Sequence, residues 1–452
     1  MVLPQPLLIV FCLLLPTIFF ISKKPHLLAA WAAIACSIDI FNSQKYMNLS
    51  AIKIFGIIAI PYVFSHYKIL YKTRLIQLLA MYFLYLTALG IWYGYLFPWI
   101  DPTGLKTGRD VPHWRSVLHL GSFFLELTSA LCLALIFRDK KNQKIAVFTL
   151  ITTVMLSCLA GIIESFTHFD FYHFFTGDML PINAGRVRGF NYEPRGLAQS
   201  TVYALLAITC LYKTEKHKLH LLIWFLPLLI FGGLYLPISL TATLTLGCGL
   251  GIIFLLYFQS IKKVILAKKP ILLGILFILT GLIIFVLQSP HIRNHFYGRR
   301  YLFEMKSPIQ SLEVFDAAAV NFFVHNPAKI IFGAGPGMVS IPSSAYILER
   351  DKGDWGDGIT ALPHMGAVLQ FSNGGILGLI FWLFTMTRIA RLNLRAGIQG
   401  EAGAYRALSV VFLSLYFLQI RPHFIIGLGL GLSILLEQSR FSHTAQYTDC
   451  EN

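Results

Sequence analysis

The chain has 452 residues, of which 56% are hydrophobic and only 13% charged. That much apolar surface excludes a water-soluble protein of ordinary composition. The formal charge of +16 would suit a nucleic-acid binder, but the basic residues sit in short loops between apolar runs, which excludes that partner.

Apolar runs of about 15–22 residues recur along nearly the whole length, long enough to cross a bilayer as helices. Lipid offers the backbone no hydrogen bonds, so such runs must be helical. In chain order the expected spans are 7–21, 27–41, 49–66, 75–97, 116–137, 145–167, 195–212, 219–235, 238–258, 270–288, 365–387, 404–420 and 422–437. The first two and last two are short, so the expected total is about 12 transmembrane helices, with a range of about 11–13. The first run lacks a basic lead and an Ala-x-Ala site, and reads as a retained helix rather than a cleaved signal peptide. Six of the seven cysteines lie in apolar runs and Cys450 in the polar tail, so no disulfide framework is expected.

Basic clusters fall at Lys23-Lys24, Lys68/Lys72/Arg74, Arg138/Lys140/Lys141/Lys144, Lys213/Lys216/Lys218, Lys262/Lys263/Lys268/Lys269 and Arg388/Arg391/Arg395/Arg406. The alternate loops are near neutral; in the longest, seven Lys/Arg face seven Asp/Glu. By the positive-inside rule the basic loops are cytoplasmic. The excess charge is a topology signal, with some attraction to anionic lipid.

The expected organisation is a transmembrane part over 1–288, with outer loops near 98–115 and 168–194. A large outer loop follows over 289–363, then C-terminal transmembrane helices over 364–437 and a cytoplasmic tail over 438–452. In the large loop, Ile309, Leu312, Phe315, Ala319, Phe322 and Phe323 recur at helical spacing, which predicts a short amphipathic helix lying along the outer surface. The polar residues from Ser442 onward are expected to lack regular structure.

Charged groups near apolar runs come first among the candidate site residues. Asp39, Glu126 and Glu164 need partners there. Glu164 and His168 stand one turn apart, and a structural pair is favoured over proton coupling. Arg186, Arg188 and Arg195 cluster where Pro194 opens a membrane helix. A helix N-terminus favours an anion, and guanidiniums bind diphosphate oxygens in pairs. Headgroup anchoring or pairing with Glu193 is the plainer alternative, and Tyr192 and Glu193 are candidate substrate contacts. Arg299 and Arg300 are further diphosphate candidates or headgroup anchors.

The run Phe332-Gly333-Ala334-Gly335-Pro336-Gly337 lacks the Gly-Lys-Ser/Thr ending of a phosphate loop, so a tight structural turn is expected. Glu349, Asp351, Asp354 and Asp357 match no calcium-loop spacing and read as a solvated stretch, so no metal site is expected. His364 follows Pro363 at the mouth of a membrane helix, either as a headgroup-facing side chain or as a general base for a sugar hydroxyl. Arg421 and His423 mark an outer turn, with no role assigned.

Together these residues resemble the bacterial polysaccharide polymerase and O-antigen ligase superfamily. Three pieces carry the resemblance: Arg188-Gly189-Phe190-Asn191-Tyr192-Glu193-Pro194, Asn326-Pro327 with Ile331-Phe332-Gly333-Ala334-Gly335, and His364 followed by Gly375 and Gly378. The resemblance implies an all-α, GT-C-like integral membrane fold. It also implies an inverting, metal-independent glycosyl transfer without cofactor at the periplasmic face of the bacterial inner membrane. The donor would be an undecaprenyl-diphosphate-linked glycan, the acceptor a second glycan, and a chain-length regulator a partner. It maps the base onto His364 and diphosphate binding onto Arg188 or Arg195 and Arg299 or Arg300. Met365 after the histidine and the Glu193-Pro194 pair lean towards the Wzy-type polymerases. The ligase, which transfers glycan to lipid A-core, is the first alternative. A transporter or flippase is the second.

Overall fold

The computed structural model describes residues 10–40, 50–101, 111–176, 186–212, 226–267, 309, 312–348 and 362–448, and regular structure among them is entirely helical. In chain order the helices are α1 (Val10–Ile21), α2 (Pro25–Ser37), α3 (Ala51–Ser65), α4 (Arg74–Leu96), α5 (Pro112–Ile136) and α6 (Lys140–Thr167). Then come α7 (Pro194–Leu211), α8 (Leu226–Tyr235), α9 (Leu240–Ala267) and α10 (Val314–His325). The last three are α11 (Gly366–Arg395), α12 (Gly400–Leu415) and α13 (His423–Thr448). Helices α4, α5, α6, α11 and the Thr241–Phe258 stretch of α9 are each long and apolar enough to cross a membrane. The chain is a helical membrane protein. The expected run 270–288, the first part of the run 219–235, Arg299, Arg300 and the acidic stretch from Glu349 to Asp357 lie outside the described residues.

Local sequence sets most helix starts. Proline opens α2, α5 and α7, where its missing N–H costs no hydrogen bond. Asp139 caps α6 by accepting from the Lys141 N–H at 2.9 Å. Two expectations are corrected. Helix α13 runs to Thr448, because no glycine or proline interrupts it after Gly431. Helix α10 begins at Val314 rather than near Ile309, because Glu313 is extended (φ −63°, ψ 156°). Nor does α10 lie along the surface: Phe315, Ala318, Ala319, Phe322 and Phe323 are buried, partly beneath Met338–Ile341.

Helix α7 is the central strut, buried along most of its length and packed against α6, α9 and α12. Helix α5 packs against α3 and α13. Small residues and hydroxyls bring these helices close, as expected where lipid removes the hydrophobic drive. Ser129 Oγ donates to Ile52 O across α5 and α3, and Ser409 Oγ to Gly427 O across α12 and α13, both at 2.7 Å.

One helix is broken. Within α11, Gly375 has φ 64° and ψ −161°, a conformation open essentially to glycine alone. The break leaves backbone groups unpaired inside α11, and the segment after α10 takes them up. Ala334 N–H donates to Ser372 O at 2.8 Å, and Ile376 N–H donates to Ile330 O at 2.8 Å. Asn373 Oδ1 accepts from the Gly337 N–H at 3.1 Å, and Trp99 Nε1 donates to Ala334 O at 2.8 Å. The glycine run 333–337 is therefore a structural turn that fastens the segment after α10 to α11.

A β-carbon at Gly375 would lie 2.2 Å from Ile331 O. Gly375→Ala is expected to cost more than about 2 kcal/mol. The check is the apparent melting temperature of purified protein in detergent, and an unchanged value would contradict the mooring described here.

Candidate active site

Three helix N-termini meet at one place. The residues before α7, α10 and α11 are Glu193, Glu313 and Met365, all extended, and none makes a side-chain capping bond to its own helix. Each helix start carries the positive end of the helix dipole. The α10 and α11 starts are tied directly, because Asp316 Oδ1 accepts from the Met365 N–H at 3.1 Å.

Glu313 links the side chains. Its Oε1 and Oε2 accept from Arg195 Nη1 at 2.8 and 2.7 Å, and Oε2 accepts from His364 Nδ1 at 2.8 Å. Thr241 Oγ1 donates to Oε1 at 3.3 Å, and Arg195 Nη2 donates to Glu193 Oε2 at 3.2 Å. The Phe315 ring meets the His364 ring edge-on, with centroids 5.1 Å apart. A carboxylate on Nδ1 makes that nitrogen the donor, so Nε2 carries the free lone pair. The His364 and Glu313 side chains are each 34% exposed, so solvent or a substrate reaches them.

Burial alone would raise the Glu313 pKa. The hydrogen bond from His364 and the charge of Arg195 outweigh it and hold the carboxyl down to about 2. Asp316 behaves in the opposite way. Burial pushes it up to about 6, despite the hydrogen bond from the Met365 N–H.

The other arginines of the cluster sit elsewhere. Arg188 is 3% exposed and forms a two-pronged ion pair with Asp170, with Nε to Oδ1 at 3.0 Å. The Tyr172 ring lies 4.8 Å from the Arg188 guanidinium. Arg186 donates to Pro237 O and Ile238 O, both at 2.8 Å. These two guanidiniums hold loops together, and of the candidate arginines that are described only Arg195 stands beside His364. Glu193 reaches Arg195, while Tyr192 contributes its N–H to Asp39 Oδ2 at 3.3 Å. Glu164 does not pair with His168. Its Oε2 accepts from the Arg188 and Gly189 N–H groups at 3.2 and 2.8 Å, because the chain folds back over the end of α6. Glu126 pairs with Lys53 at 3.4 Å.

Sequence reading missed Glu313, Asp316 and Asp170. Glu313 had a recoverable signal, a carboxylate three residues before Asp316 at the head of a helical period. Starting the helix at Ile309 hid it. No protein-family model and no curated protein matches this chain.

Two measurements test the geometry. Arg188→Gln leaves Asp170 unpaired in a buried setting, and a cost of about 3–5 kcal/mol is expected. Arg195→Gln, at a more open position, is expected to cost clearly less, and equal losses in thermal stability would contradict the assignment. The second is a pH titration. The Asp316 pKa is raised to about 6 from its usual 3.8, so its contribution is full below the lower value and is lost as pH rises through the upper one. Glu313, lowered to about 2 from its usual 4.5, acts in the opposite sense, with its contribution full above the upper value and lost as pH falls through the lower one. Between about pH 4.5 and 6.5, wild type is therefore expected to lose stability that Asp316→Asn retains.

Proposed function

We propose that this protein is a glycosyltransferase acting on lipid-diphosphate-linked glycans. In this reading it polymerises undecaprenyl-diphosphate-linked repeat units into a surface polysaccharide at the outer face of the bacterial inner membrane. The observation that carries the reading is the His364–Glu313–Arg195 arrangement, a base held by a carboxylate beside a guanidinium at converging helix N-termini. Its location is consistent with an outer face. Arg388, Arg391 and Arg395 lie at the far end of α11 from His364, where the positive-inside rule places the cytoplasm. A GT-C-like bundle of about 12 crossings belongs to the same proposal, with α7, α12 and the shorter apolar helices α1, α2, α3, α8 and α13 adding to the five long ones.

The chemistry follows from the geometry. His364 Nε2 takes the proton from an acceptor sugar hydroxyl. The hydroxyl oxygen attacks the anomeric carbon from the face opposite the diphosphate. The carbon–oxygen bond to the diphosphate breaks, and the lipid diphosphate leaves with the electron pair, inverting the centre. Glu313 fixes the tautomer of His364 and stabilises the imidazolium as it forms, as the carboxylate does in a catalytic triad. Arg195 and the helix N-termini stabilise the charge growing on the leaving group.

The test is a deletion strain complemented with wild type, His364→Ala or Glu313→Gln at equal expression. Wild type is expected to restore a glycan ladder, while His364→Ala leaves single repeats accumulating on lipid. In a purified assay Glu313→Gln is expected to lower turnover by about 100-fold or more. A full ladder from His364→Ala would remove the base from the mechanism. Long lipid-linked chains that fail to attach in the deletion strain would make the protein a ligase.

A further inference from the structure

Helix α10 and the turn after it run beside α11. The Phe315 ring centroid lies 5.1 Å from that of His364, and the Phe323 centroid 4.7 Å from that of Phe371. Further along, the Ile376 N–H donates to Ile330 O at 2.8 Å. Helix α10 therefore descends in the same direction as α11, from the start of α11 to its break at Gly375.

The break lies deep. Gly375 stands 13 residues, or about 20 Å of helix, from Arg388, the first basic residue at the far end of α11. Helix α4 gives a second measure. Tyr85 Oη donates to Gly374 O at 2.7 Å, and Tyr85 stands 11 residues, or about 17 Å, from Arg74. The positive-inside rule puts both basic ends at one boundary of a hydrocarbon core about 30 Å thick. The turn at Ile330, Ile331 and Phe332 then lies about 10 Å beneath the opposite boundary.

At that depth lipid tolerates non-helical backbone only where protein covers it, and the turn meets this condition. Residues 333–344 are buried without interruption. The Gly333, Ala334 and Met338 N–H groups donate to the Lys329, Ser372 and Gly335 carbonyls at 2.8, 2.8 and 3.1 Å. Polar side chains are met as well. Asn326 Nδ2 donates to Phe322 O at 2.9 Å, Asn321 Nδ2 donates to Tyr346 O at 3.2 Å, and His325 Nδ1 lies 2.9 Å from Asn321 O. Lys329 Nζ rests on aromatic faces, 4.9 Å from the Trp99 centroid and 5.1 Å from that of Tyr93. Trp99 lies three residues beyond the end of α4, so the charge reaches back towards the boundary.

What the turn leaves open is apolar. Ile331 and Phe332 are 50% and 47% exposed, matching Ile376 and Leu377 on α11 at 43% and 45%. The Leu377 N–H donates to Ile331 O at 3.4 Å, so the two pairs form one surface, which Ile380 and Phe384 continue along α11.

We propose that α10 and the turn through Gly337 are a re-entrant unit inserted into the leaflet opposite the basic loops, with Ile331 and Phe332 against lipid acyl chains. Continuity with the exposed apolar face of a membrane-spanning helix identifies the partner as hydrocarbon. The inference rests on the membrane fold and the positive-inside rule, and is independent of the glycosyl-transfer reading. It takes part of the polar stretch 289–363, expected from sequence to lie outside the membrane, into the bilayer. Helix α10, which carries Asp316 and follows Glu313, is then positioned by lipid as well as by its hydrogen bonds.

The experiment measures depth in full-length protein in lipid nanodiscs. Cys248→Ala and Cys450→Ser remove the exposed thiol and the one in the tail. Single nitroxide labels are placed at Phe332→Cys, at Leu377→Cys as the hydrocarbon reference and at Lys141→Cys as the aqueous one. Collisions with oxygen, which concentrates in hydrocarbon, are compared with collisions with a water-soluble nickel chelate. The oxygen-to-nickel ratio at Phe332 is expected to be several-fold above that at Lys141 and close to that at Leu377. A ratio like that at Lys141 overturns the insertion. Exclusion of both reagents at Phe332 means that protein covers the tip and overturns the lipid partner. If a labelled variant does not fold, wild type is irradiated with a phospholipid carrying a diazirine in mid-chain. Adducts are then expected at Ile331 and Phe332 as well as at Ile376 and Leu377, and adducts on the α11 pair alone overturn the proposal.

Discussion

Glu313 is a partly buried carboxylate that accepts hydrogen bonds from three side chains on three different elements: Arg195 on α7, Thr241 on α9 and His364 before α11. A buried anion is costly unless it is paired and fully hydrogen-bonded. That cost favours the observed positions, because moving any one element takes a hydrogen-bond donor away from the carboxylate. The same contact gives His364 its tautomer and Arg195 its direction. The relative positions of an imidazole and a guanidinium thus become a matter of one side chain's solvation.

The backbone around this carboxylate is held by a second device, the break in α11. A continuous helix would keep its N–H and carbonyl groups for itself. At Gly375 the helix gives up some of them, and the segment after α10 fills the gap. Helix α10 is thereby locked at its far end to α11, while Asp316 ties its near end to Met365. Helices α10 and α11 cannot shift independently, so their N-termini stay aimed at the same point. Positive helix ends and a fixed guanidinium then give the candidate site a fixed electrostatic environment.

The charges in the segment after α6 show how a membrane protein spends its arginines. Arg188 stands in the motif that most suggested phosphate binding, yet Asp170 claims its guanidinium and Glu164 binds its backbone. Both carboxylates would otherwise be stranded at the end of a membrane helix, where a lone charge is expensive. Pairing them orders the loop that delivers Pro194 and Arg195 to the site. Arg188 serves the site by building the approach to it.

The apolar runs alone determined that this chain is a set of membrane helices. They also located most helix ends within a few residues, since lipid leaves the backbone no other way to satisfy itself. The sequence also placed His364 and Arg195 at helix mouths, because Pro363 and Pro194 mark those mouths. It did not show which carboxylate meets which arginine. Asp170 and Arg188 are 18 residues apart, while Glu313 and Arg195 are 118 apart. Nothing in local periodicity separates a structural pair from a site pair. Arg421 is more distant still, and only the packing of α12 and α13 against α7 and α11 brings it beside Gln199. The tertiary structure decided these partners because charge pairing depends on distance in space, and hydropathy along a chain carries no record of that distance.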